Sequence, residues 1–321
     1  MKALGKLLLL CLASAFVGGA AAADYPVKPV KIILPYAAGG GADGLTRALA
    51  QKMSARWKQP VVVDNKPGAG ATLGTALAAQ AAPDGYTLLI TAGTMTVSPA
   101  IYAKLPYDVV KDFTPITLIS NSPFVLTTRG DLGVNSLNEL VALARSKPGK
   151  LNYGTPGVGT LSHLTAELMK HLTGTDIAHV PYKGGVPAIA DMLAGRVDFL
   201  FDTPAALLPY INSGKFKALA VTTPERSPVM PNTPTMAEAG LRGFDVRLWF
   251  AILGPANTPE PVVKEVRNAI IAALKEDDIM RTLAVQGFVP LTSTPTELDQ
   301  LIKSELSVWA PIVKLANIKA E

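Results

Sequence analysis

The chain contains little cysteine, few charged side chains and few aromatic ones. Its single cysteine is Cys11, which excludes a disulfide within the chain, so the fold of these 321 residues has to depend on packing. Charged residues make up 17% of the composition, the formal net charge is +5, and the basic residues are dispersed. This pattern argues against nucleic acid as a partner, because nucleic-acid-binding domains concentrate lysine and arginine on one face.

Long apolar runs are also missing beyond the first two dozen residues. The run Leu7–Val17 is shorter than a membrane-spanning helix requires, and it lies between Lys2, Lys6 and the small residues Ala21-Ala22-Ala23. A basic start, an apolar centre and a small-residue end are typical of a secretory signal peptide. We therefore expect residues 1–23 to be removed on export. The length of the remainder allows one large domain or two.

Short strand-like runs alternate with helical patterns from Val30 to about Leu219. Such alternation predicts α/β architecture with parallel sheets and helices on both faces, and ligands of such sheets bind at the carboxyl ends of the strands. A proline-rich connection, Pro224–Pro234, is followed by the strand-like run Phe244–Leu253 and then by helical patterns. A single late strand before helices indicates that the chain returns to its first domain.

Three glycine-rich turns each follow a predicted strand and precede a predicted helix. We call residues 38–43 (Ala-Gly-Gly-Gly-Ala-Asp) the first glycine turn, 67–72 (Pro-Gly-Ala-Gly-Ala-Thr) the second, and 154–160 (Gly-Thr-Pro-Gly-Val-Gly-Thr) the third. The start of a helix offers unpaired N–H groups and the positive end of the helix dipole, and glycine lets the backbone approach an anion closely. The turns therefore predict a binding site for carboxylates or phosphates.

Several polar residues near these turns have an ordinary structural interpretation beside a functional one. Asp43 and Thr160 suit helix caps as well as ligand contacts, and Asp202 suits either the cap of the next helix or a site carboxylate. Lys183 could form a charge-assisted bond to a carboxylate, or it could be a solvated surface lysine. His163 and Glu167 share a helix face, and a structural contact between them is the default interpretation.

Catalytic motifs are not found in the sequence. The surroundings of His163 lack the Glu-x-x-His continuation of a zinc-protease helix. The second glycine turn has the spacing G-x-G-x-x-x-G, which differs from a dinucleotide-binding turn, and none of the three turns ends in Gly-Lys-Ser/Thr. A G-x-S-x-G nucleophile elbow is missing as well. We therefore expect that the protein is not an enzyme and that it binds neither a metal nor a cofactor.

The order of the motifs resembles one family, the substrate-binding receptors of the tripartite tricarboxylate transporters, also known as Bug receptors. The resemblance covers essentially the whole chain after residue 23, and its specificity comes from the ordered series rather than from any single motif. The matching segments are Tyr25-Pro26, Pro35–Gly40, Asp43, Asn65–Gly70, Pro83–Tyr86, Tyr153–Gly157, His163-Leu164, Glu167, Val180–Gly184, Pro187-Ala188, Gly195–Asp198, Pro234-Thr235, Glu238–Gly240, Trp249-Phe250 and Thr258-Pro259.

The resemblance implies a two-domain periplasmic binding protein of the Venus-flytrap type II class, each domain having a mainly parallel sheet flanked by helices. Domain 1 would comprise residues 24–122 and 246–321, domain 2 residues 123–245, and the hinge would lie near 120–123 and 244–247. Such a protein would be a periplasmic monomer without a cofactor. It would capture a small organic carboxylate, aliphatic, aromatic or an acidic amino acid, and deliver it to membrane permease subunits.

The candidate ligand-binding residues combine the turns with polar residues at the ends of predicted strands. They are Tyr36, Ala38, Gly39, Gly40, Asp43, Gly68, Gly70, Thr94, Thr155, Gly157, Thr160, His163, Tyr182, Lys183, Gly184 and Asp202. Arg247 stands where the family is expected to have a small or hydroxyl residue, and it could either bind a second carboxylate or face solvent. The alternative function is a periplasmic ligand sensor that presents its closed form to a signalling partner.

Overall fold

A computed structural model of the chain describes residues 25–39 and 41–318. The predicted signal peptide and Gly40 lie outside these residues. None of the helices in the described ranges is both long and apolar enough to cross a membrane.

The described part of the chain forms strands and helices in alternation. The strands are β1 (Val30–Leu34), β2 (Val61–Asn65), β3 (Thr87–Ala92), β4 (Phe113–Pro123), β5 (Val125–Arg129), β6 (Asn152–Thr155), β7 (Ala178–Pro181), β8 (Phe199–Asp202), β9 (Phe216–Val221), β10 (Arg247–Pro255) and β11 (Val289–Pro290). The helices are α1 (Gly41–Trp57), α2 (Thr72–Ala79), α3 (Thr94–Ile101), α4 (Leu137–Ser146), α5 (Leu161–Thr173), α6 (Gly185–Leu193), α7 (Pro204–Asn212), α8 (Glu260–Ala273), α9 (Asp277–Val285) and α10 (Pro295–Leu315). A short 3-10 turn, Ala69–Ala71, precedes α2.

The strands form two sheets, which confirms the α/β fold class. The first has the order β11-β4-β10-β3-β1-β2 and the second the order β7-β6-β8-β5-β9. Among the strands described, β1 pairs parallel with β2 and β3, and β6 pairs parallel with β7 and β8. The other strand pairs are antiparallel. We expected mainly parallel sheets, and the structure shows mixed ones. The difference arises because β4 leads the chain out of the first sheet and β10 leads it back, so these two strands pair antiparallel.

Helix α10 packs against the hydrophobic cores of both sheets. Its first half contributes Leu298 and Ile302 to a cluster that contains strands of the first sheet, and its second half contributes Trp309 and Ile312 to the cluster around the second sheet. The helix has 21 residues, which at 1.5 Å per residue gives a length of about 30 Å. It is therefore long enough to contribute to two cores.

Helix α2 lies directly against the loops that lead into the first and second glycine turns. A β-carbon at Gly74 would stand 2.7 Å from the carbonyl oxygen of Lys66 and 2.9 Å from the Cα of Pro35. Both neighbours are backbone atoms, so neither can rotate away. Gly74 therefore permits the close packing that fixes both turns relative to α2.

We predict that Gly74→Ala destabilises the protein by about 1–3 kcal/mol, because the added methyl group overpacks a rigid contact. Gly44→Ala is the matched control: Gly44 lies in α1 and has no neighbour within 4 Å of the position of a β-carbon. It should raise the stability by about 0.5–1 kcal/mol, the usual gain of alanine over glycine in a helix. Denaturant unfolding of the two variants measures both changes, and equal stability would contradict the packing argument.

Candidate functional site

A cleft of about 530 Å³ lies between the carboxyl-end loops of the two sheets. The first sheet side contributes Gly70, Thr94, Val97, Ser98, Ile101 and Tyr102. The second sheet side contributes Gly157, Val158, Gly159, Thr160, Pro181, Tyr182 and Lys183. Among these described residues Lys183 alone carries a charge. The cleft therefore has an apolar and aromatic wall, hydroxyl groups, glycine backbone and one cation.

Six of the sequence-predicted site residues line this cleft, namely Gly70, Thr94, Gly157, Thr160, Tyr182 and Lys183. The second glycine turn reaches the cleft through Gly70, which has φ of +60° and would place a β-carbon 2.5 Å from the hydroxyl of Tyr102. Glycine is required there both by the backbone conformation and by the neighbouring ring. The other predicted residues in the described ranges are not among the lining residues, and Gly40 lies outside those ranges.

The third glycine turn is closed by hydrogen bonds at the start of α5. The Thr160 hydroxyl donates to the carbonyl of Gly157 at 2.8 Å and accepts from the backbone N–H of His163 at 3.3 Å. Thr160 is therefore the N-cap of α5, and it also borders the cleft. The backbone N–H of Gly157 lies 3.3 Å from the hydroxyl of Thr155, which is buried behind the turn.

Two histidine rings lie stacked behind the third glycine turn. The ring centroids of His163 and His179 are 3.8 Å apart, and the backbone N–H of Gly159 donates to Nδ1 of His163 at 3.1 Å. Nε2 of His179 lies 2.6 Å from the hydroxyl of Thr155. Burial lowers the pKa of each histidine to about 4. Both rings are therefore neutral at neutral pH, and His163 holds the turn as a hydrogen-bond acceptor.

Glu167 does not form a hydrogen bond with His163, although the two residues share a face of α5. Its carboxylate accepts instead from the hydroxyl of Tyr153 and from Lys170, the latter at 2.6 Å. Tyr153 in turn stacks on His179 at 4.9 Å between centroids. The expected histidine–glutamate contact is thus replaced by a buried Tyr–Glu–Lys network that supports the stacked rings.

The first glycine turn is closed by Asp43. Its carboxylate accepts from the backbone N–H of Gly39 at 3.0 Å, from Nε of Arg47 at 3.0 Å and from Nδ2 of Asn65 at 2.9 Å. These donors, Arg47 foremost, lower the pKa of Asp43 to about 2. Asp43 is therefore part of the framework of the turn. Of its neighbours, Tyr36 places its hydroxyl 3.2 Å from that of Thr94 on the cleft wall.

Asp202 lies where the starts of α6 and α7 meet. One carboxylate oxygen accepts from the backbone N–H of Thr203 at 2.7 Å, and the other lies 2.9 Å from the position of a β-carbon on Gly185. Burial raises the pKa of this carboxyl group. Nearby, the N–H of Gly184 donates to the carbonyl of Pro156 at 2.9 Å, which joins the start of α6 to the third glycine turn.

Comparison with known proteins identifies the family to which this chain belongs. The model of the tripartite tricarboxylate transporter family receptor, TctC, matches residues 45–318. The chain belongs to this family. It is therefore a member of a family of solute-binding receptors, with the two-domain type II fold of periplasmic binding proteins.

Relatives of this receptor cover nearly its whole length. Protein BugT of Bordetella pertussis (strain Tohama I) is 34% identical over 311 residues, which is 96% of this chain and 95% of BugT. A solved R. palustris protein with adipate is 32% identical, with a TM-score of 0.74 over 92% of this chain and 99% of its own. MatC from Rhodopseudomonas palustris with bound malate is 34% identical, with a TM-score of 0.72 over 90% of this chain and 100% of its own.

Helix α3 supplies lining residues of the receptor that the sequence analysis missed, Val97, Ser98 and Ile101. Only Thr94 at its start was selected, because Pro99 and several β-branched residues obscure the helical pattern. The signal that could have found them is Gly93-Thr94 directly after β3, a glycine at a strand end as in the three turns. Arg247, which was left open, binds both carboxylate oxygens of Asp245 at 2.8 and 2.9 Å and is not among the lining residues.

The residues of the receptor that are described, 25–39 and 41–318, include no group of three or more histidine, cysteine, aspartate or glutamate side chains arranged to hold a metal ion. The N–H groups of Gly157, Gly159 and His163 already donate to side chains at the third glycine turn. What the cleft offers chemically is therefore hydroxyl groups, the Lys183 ammonium and the positive ends of two helix dipoles. These are groups that bind an anion.

We predict that the stacked histidines make the receptor sensitive to acid. The pKa of His163 falls from 6.5 in the unfolded chain to about 4 in the fold, so the unfolded state binds more protons between these values and stability decreases as the pH falls. His163→Asn keeps an acceptor for the N–H of Gly159 but cannot take up a proton. Its melting temperature should therefore fall less steeply with decreasing pH than that of the wild type.

The control for this variant is His171→Asn, on the same helix and exposed to solvent. It should keep the acid sensitivity of the wild type. A melting temperature that falls as steeply in His163→Asn as in the wild type would exclude His163 as the group responsible.

Proposed function

We propose that this protein is a periplasmic receptor that captures a small organic carboxylate between two domains and delivers it to a membrane permease of the tripartite tricarboxylate type. The observation that carries the proposal is the cleft itself, where glycine turns from both sheets meet the starts of α3 and α5. The adipate and malate in the solved structures of two relatives support the same class of ligand. No bond of the ligand is made or broken in this function.

The ligand carboxylate would be held by backbone N–H groups and by one side-chain cation. The first N–H groups of a helix have no backbone partner within that helix, and those not taken by a cap, as that of His163 is by Thr160, can donate to a ligand. Thr94 and Thr160 bring the starts of α3 and α5 to opposite walls. Lys183 adds a charge-assisted hydrogen bond, which is about twice as strong as a neutral one. The rings of Tyr102 and Tyr182 would pack against the rest of the ligand.

The domains of this receptor would be residues 24–122 with 246–321, and residues 123–245. The crossings near 120–123 and 244–247 are neighbours in one sheet, where Pro123 lies opposite Arg247. A hinge at two adjacent strands suits the closure by which such binding proteins enclose a ligand. Export to the periplasm would be directed by residues 1–23 as a signal peptide, which is then cleaved.

The proposal predicts that a carboxylate raises the thermal stability of the ligand-free protein. A ligand at about 100 times its Kd adds about 2.7 kcal/mol to the free energy of unfolding. A thermal-shift panel should contain adipate, malate, citrate, benzoate and glutamate, together with adipamide as the uncharged analogue of adipate. We expect a shift of the melting temperature with at least one acid and none with adipamide. A folded protein that responds to none of the acids would contradict carboxylate capture.

We predict that Gly157→Val weakens the binding of the carboxylate found in this panel by at least about tenfold, or 1.4 kcal/mol. Gly157 has φ of +152°, lines the cleft, and would place a β-carbon 3.5 Å from the carbonyl oxygen of Tyr182. Gly133→Val is the matched control, since Gly133 also has positive φ (+80°) but has no neighbour within 4 Å and lies outside the cleft. The Kd measured by calorimetry should rise in Gly157→Val and stay at the wild-type value in Gly133→Val. Equal affinities of the two variants would contradict a role for the third glycine turn.

A further inference from the structure

A buried carboxyl group, that of Glu305 on α10, connects three elements near the cleft. Its Oε1 accepts from the indole N–H of Trp249 on β10 at 2.8 Å, and its Oε2 lies 2.7 Å from the hydroxyl of Thr96 on α3. The exposed fraction is 9% for Glu305, 1% for Thr96 and 0% for Trp249. A carboxyl group so far removed from water has to be fully hydrogen-bonded or to lose its charge.

This group lies at the boundary between the two hydrophobic cores. On α10, Ile302 belongs to the first-sheet cluster and Trp309 to the second-sheet cluster, with Glu305 between them. On α3, Met95 and Val97 belong to these same two clusters, with Thr96 between them. Polar contacts from both helices therefore meet where the cores adjoin.

The hydrogen bonds around Thr96 indicate which group carries a proton. Its hydroxyl lies 2.7 Å from the carbonyl of Gly93 as well as 2.7 Å from Glu305, yet a hydroxyl has one proton to donate. Both short contacts are hydrogen bonds at once only if Glu305 is a neutral acid that donates to Thr96, while Thr96 donates to Gly93. If Glu305 is ionised, the Thr96 hydroxyl has to donate to the carboxylate. The carbonyl of Gly93 then loses its hydrogen bond from this hydroxyl.

The surroundings of Glu305 bring its titration into the neutral range. Desolvation raises its pKa to about 7, against the hydrogen bonds of Thr96 and Trp249, which lower it; of the nearby charges Asp245 raises it while Arg247 lowers it. Helix α3 and strand β4, which pack against α10, carry no titratable side chain. The titratable residues of α5, the third element packed there, are His163, Glu167, Lys170 and His171, and those of α10 itself are Glu297, Asp299, Lys303 and Lys314.

Gly93 connects this group to the ligand cleft. It is the N-cap of α3, directly before the lining residue Thr94, and its N–H donates to the carbonyl of Trp249 at 3.3 Å. Its carbonyl accepts from the backbone N–H of Thr96 at 3.1 Å as well as from the Thr96 hydroxyl. The start of α3 is thus held by the same two residues, Trp249 and Thr96, that contact Glu305.

We propose that Glu305 is a positioning residue for the cleft. As a neutral acid, Glu305 completes the hydrogen bonds at the start of α3. When Glu305 loses its proton, the Thr96 hydroxyl turns toward it and no longer donates to the carbonyl of Gly93. The shape of the cleft wall at Thr94 then changes with pH in the neutral range. This role stands without a ligand, whereas its effect on ligand capture rests on the proposed function. Tighter capture on the acidic side of neutrality would follow.

The test is an NMR titration with pH of the ligand-free protein labelled with ¹⁵N. Because no ligand is present, the result does not depend on whether the protein binds a carboxylate. The indole N–H resonance of Trp249 and the amide resonance of Thr94 should shift together with a midpoint near pH 7. The indole of Trp57, which donates to Glu265 between α1 and α8, is the internal reference. Resonances of Trp249 and Thr94 that do not change with pH across the neutral range would overturn the proposal.

Two variants separate positioning from simple packing. Glu305→Gln retains an acceptor for Trp249 and a donor for Thr96, so it should fold, abolish the titration and lose less thermal stability than the wild type as the pH rises through 7. Thr96→Val removes both the hydroxyl that donates to the ionised acid and the oxygen that accepts from the neutral acid; because the bond to the ionised form is charge-assisted and stronger, the midpoint should move upward. Asp299→Asn, which removes a half-buried charge paired with Lys303 on the same helix, is the matched control and should leave the midpoint unchanged. A titration that persists in Glu305→Gln would assign the proton to another group.

Discussion

The antiparallel pairing of β4 with β10 is the constraint on which the arrangement of the molecule depends. These adjacent strands carry the chain from the first sheet to the second and back, and their pairing continues to Pro123 opposite Arg247. Because both crossings lie side by side in one sheet, the second and third glycine turns, which come from different sheets, face a common cleft. The antiparallel pairing in the first sheet follows from the same geometry. Strand β10 returns to the sheet that β4 leaves, so the two adjacent strands run in opposite directions.

The first and third glycine turns are held in different ways. In the first turn, whose described residues are not among the lining of the cleft, Asp43 takes the N–H of Gly39 and two side-chain donors, so the turn is fixed by a charged residue. In the third turn, which does line the cleft, neutral His163 and the Thr160 cap hold the backbone without a charge. Electrostatic attraction to an anion is thus left to the backbone and to Lys183, the one charged residue among the described lining.

Much of the fold could be predicted from the sequence because local patterns determine it. The predicted alternation of strands and helices from Val30 onward is present, and the three glycine turns lie at strand ends as their place in the sequence indicated. What could not be predicted depends on contacts between distant residues. The pairing of Asp43 with Asn65 and that of Glu305 with Trp249 have no local signature. Helix α3 was missed because Pro99 interrupts its pattern, and with it half of one cleft wall.

The shared packing of α10 has a consequence for how the chain divides into folding units. A polypeptide that contained the second sheet alone would lack Trp309, Ile312 and Val313, and would expose the apolar surface that they cover. The first sheet with an intact α10 would carry those side chains into solvent instead. Neither half is therefore an autonomous unit, and the two halves are inseparable as folding modules.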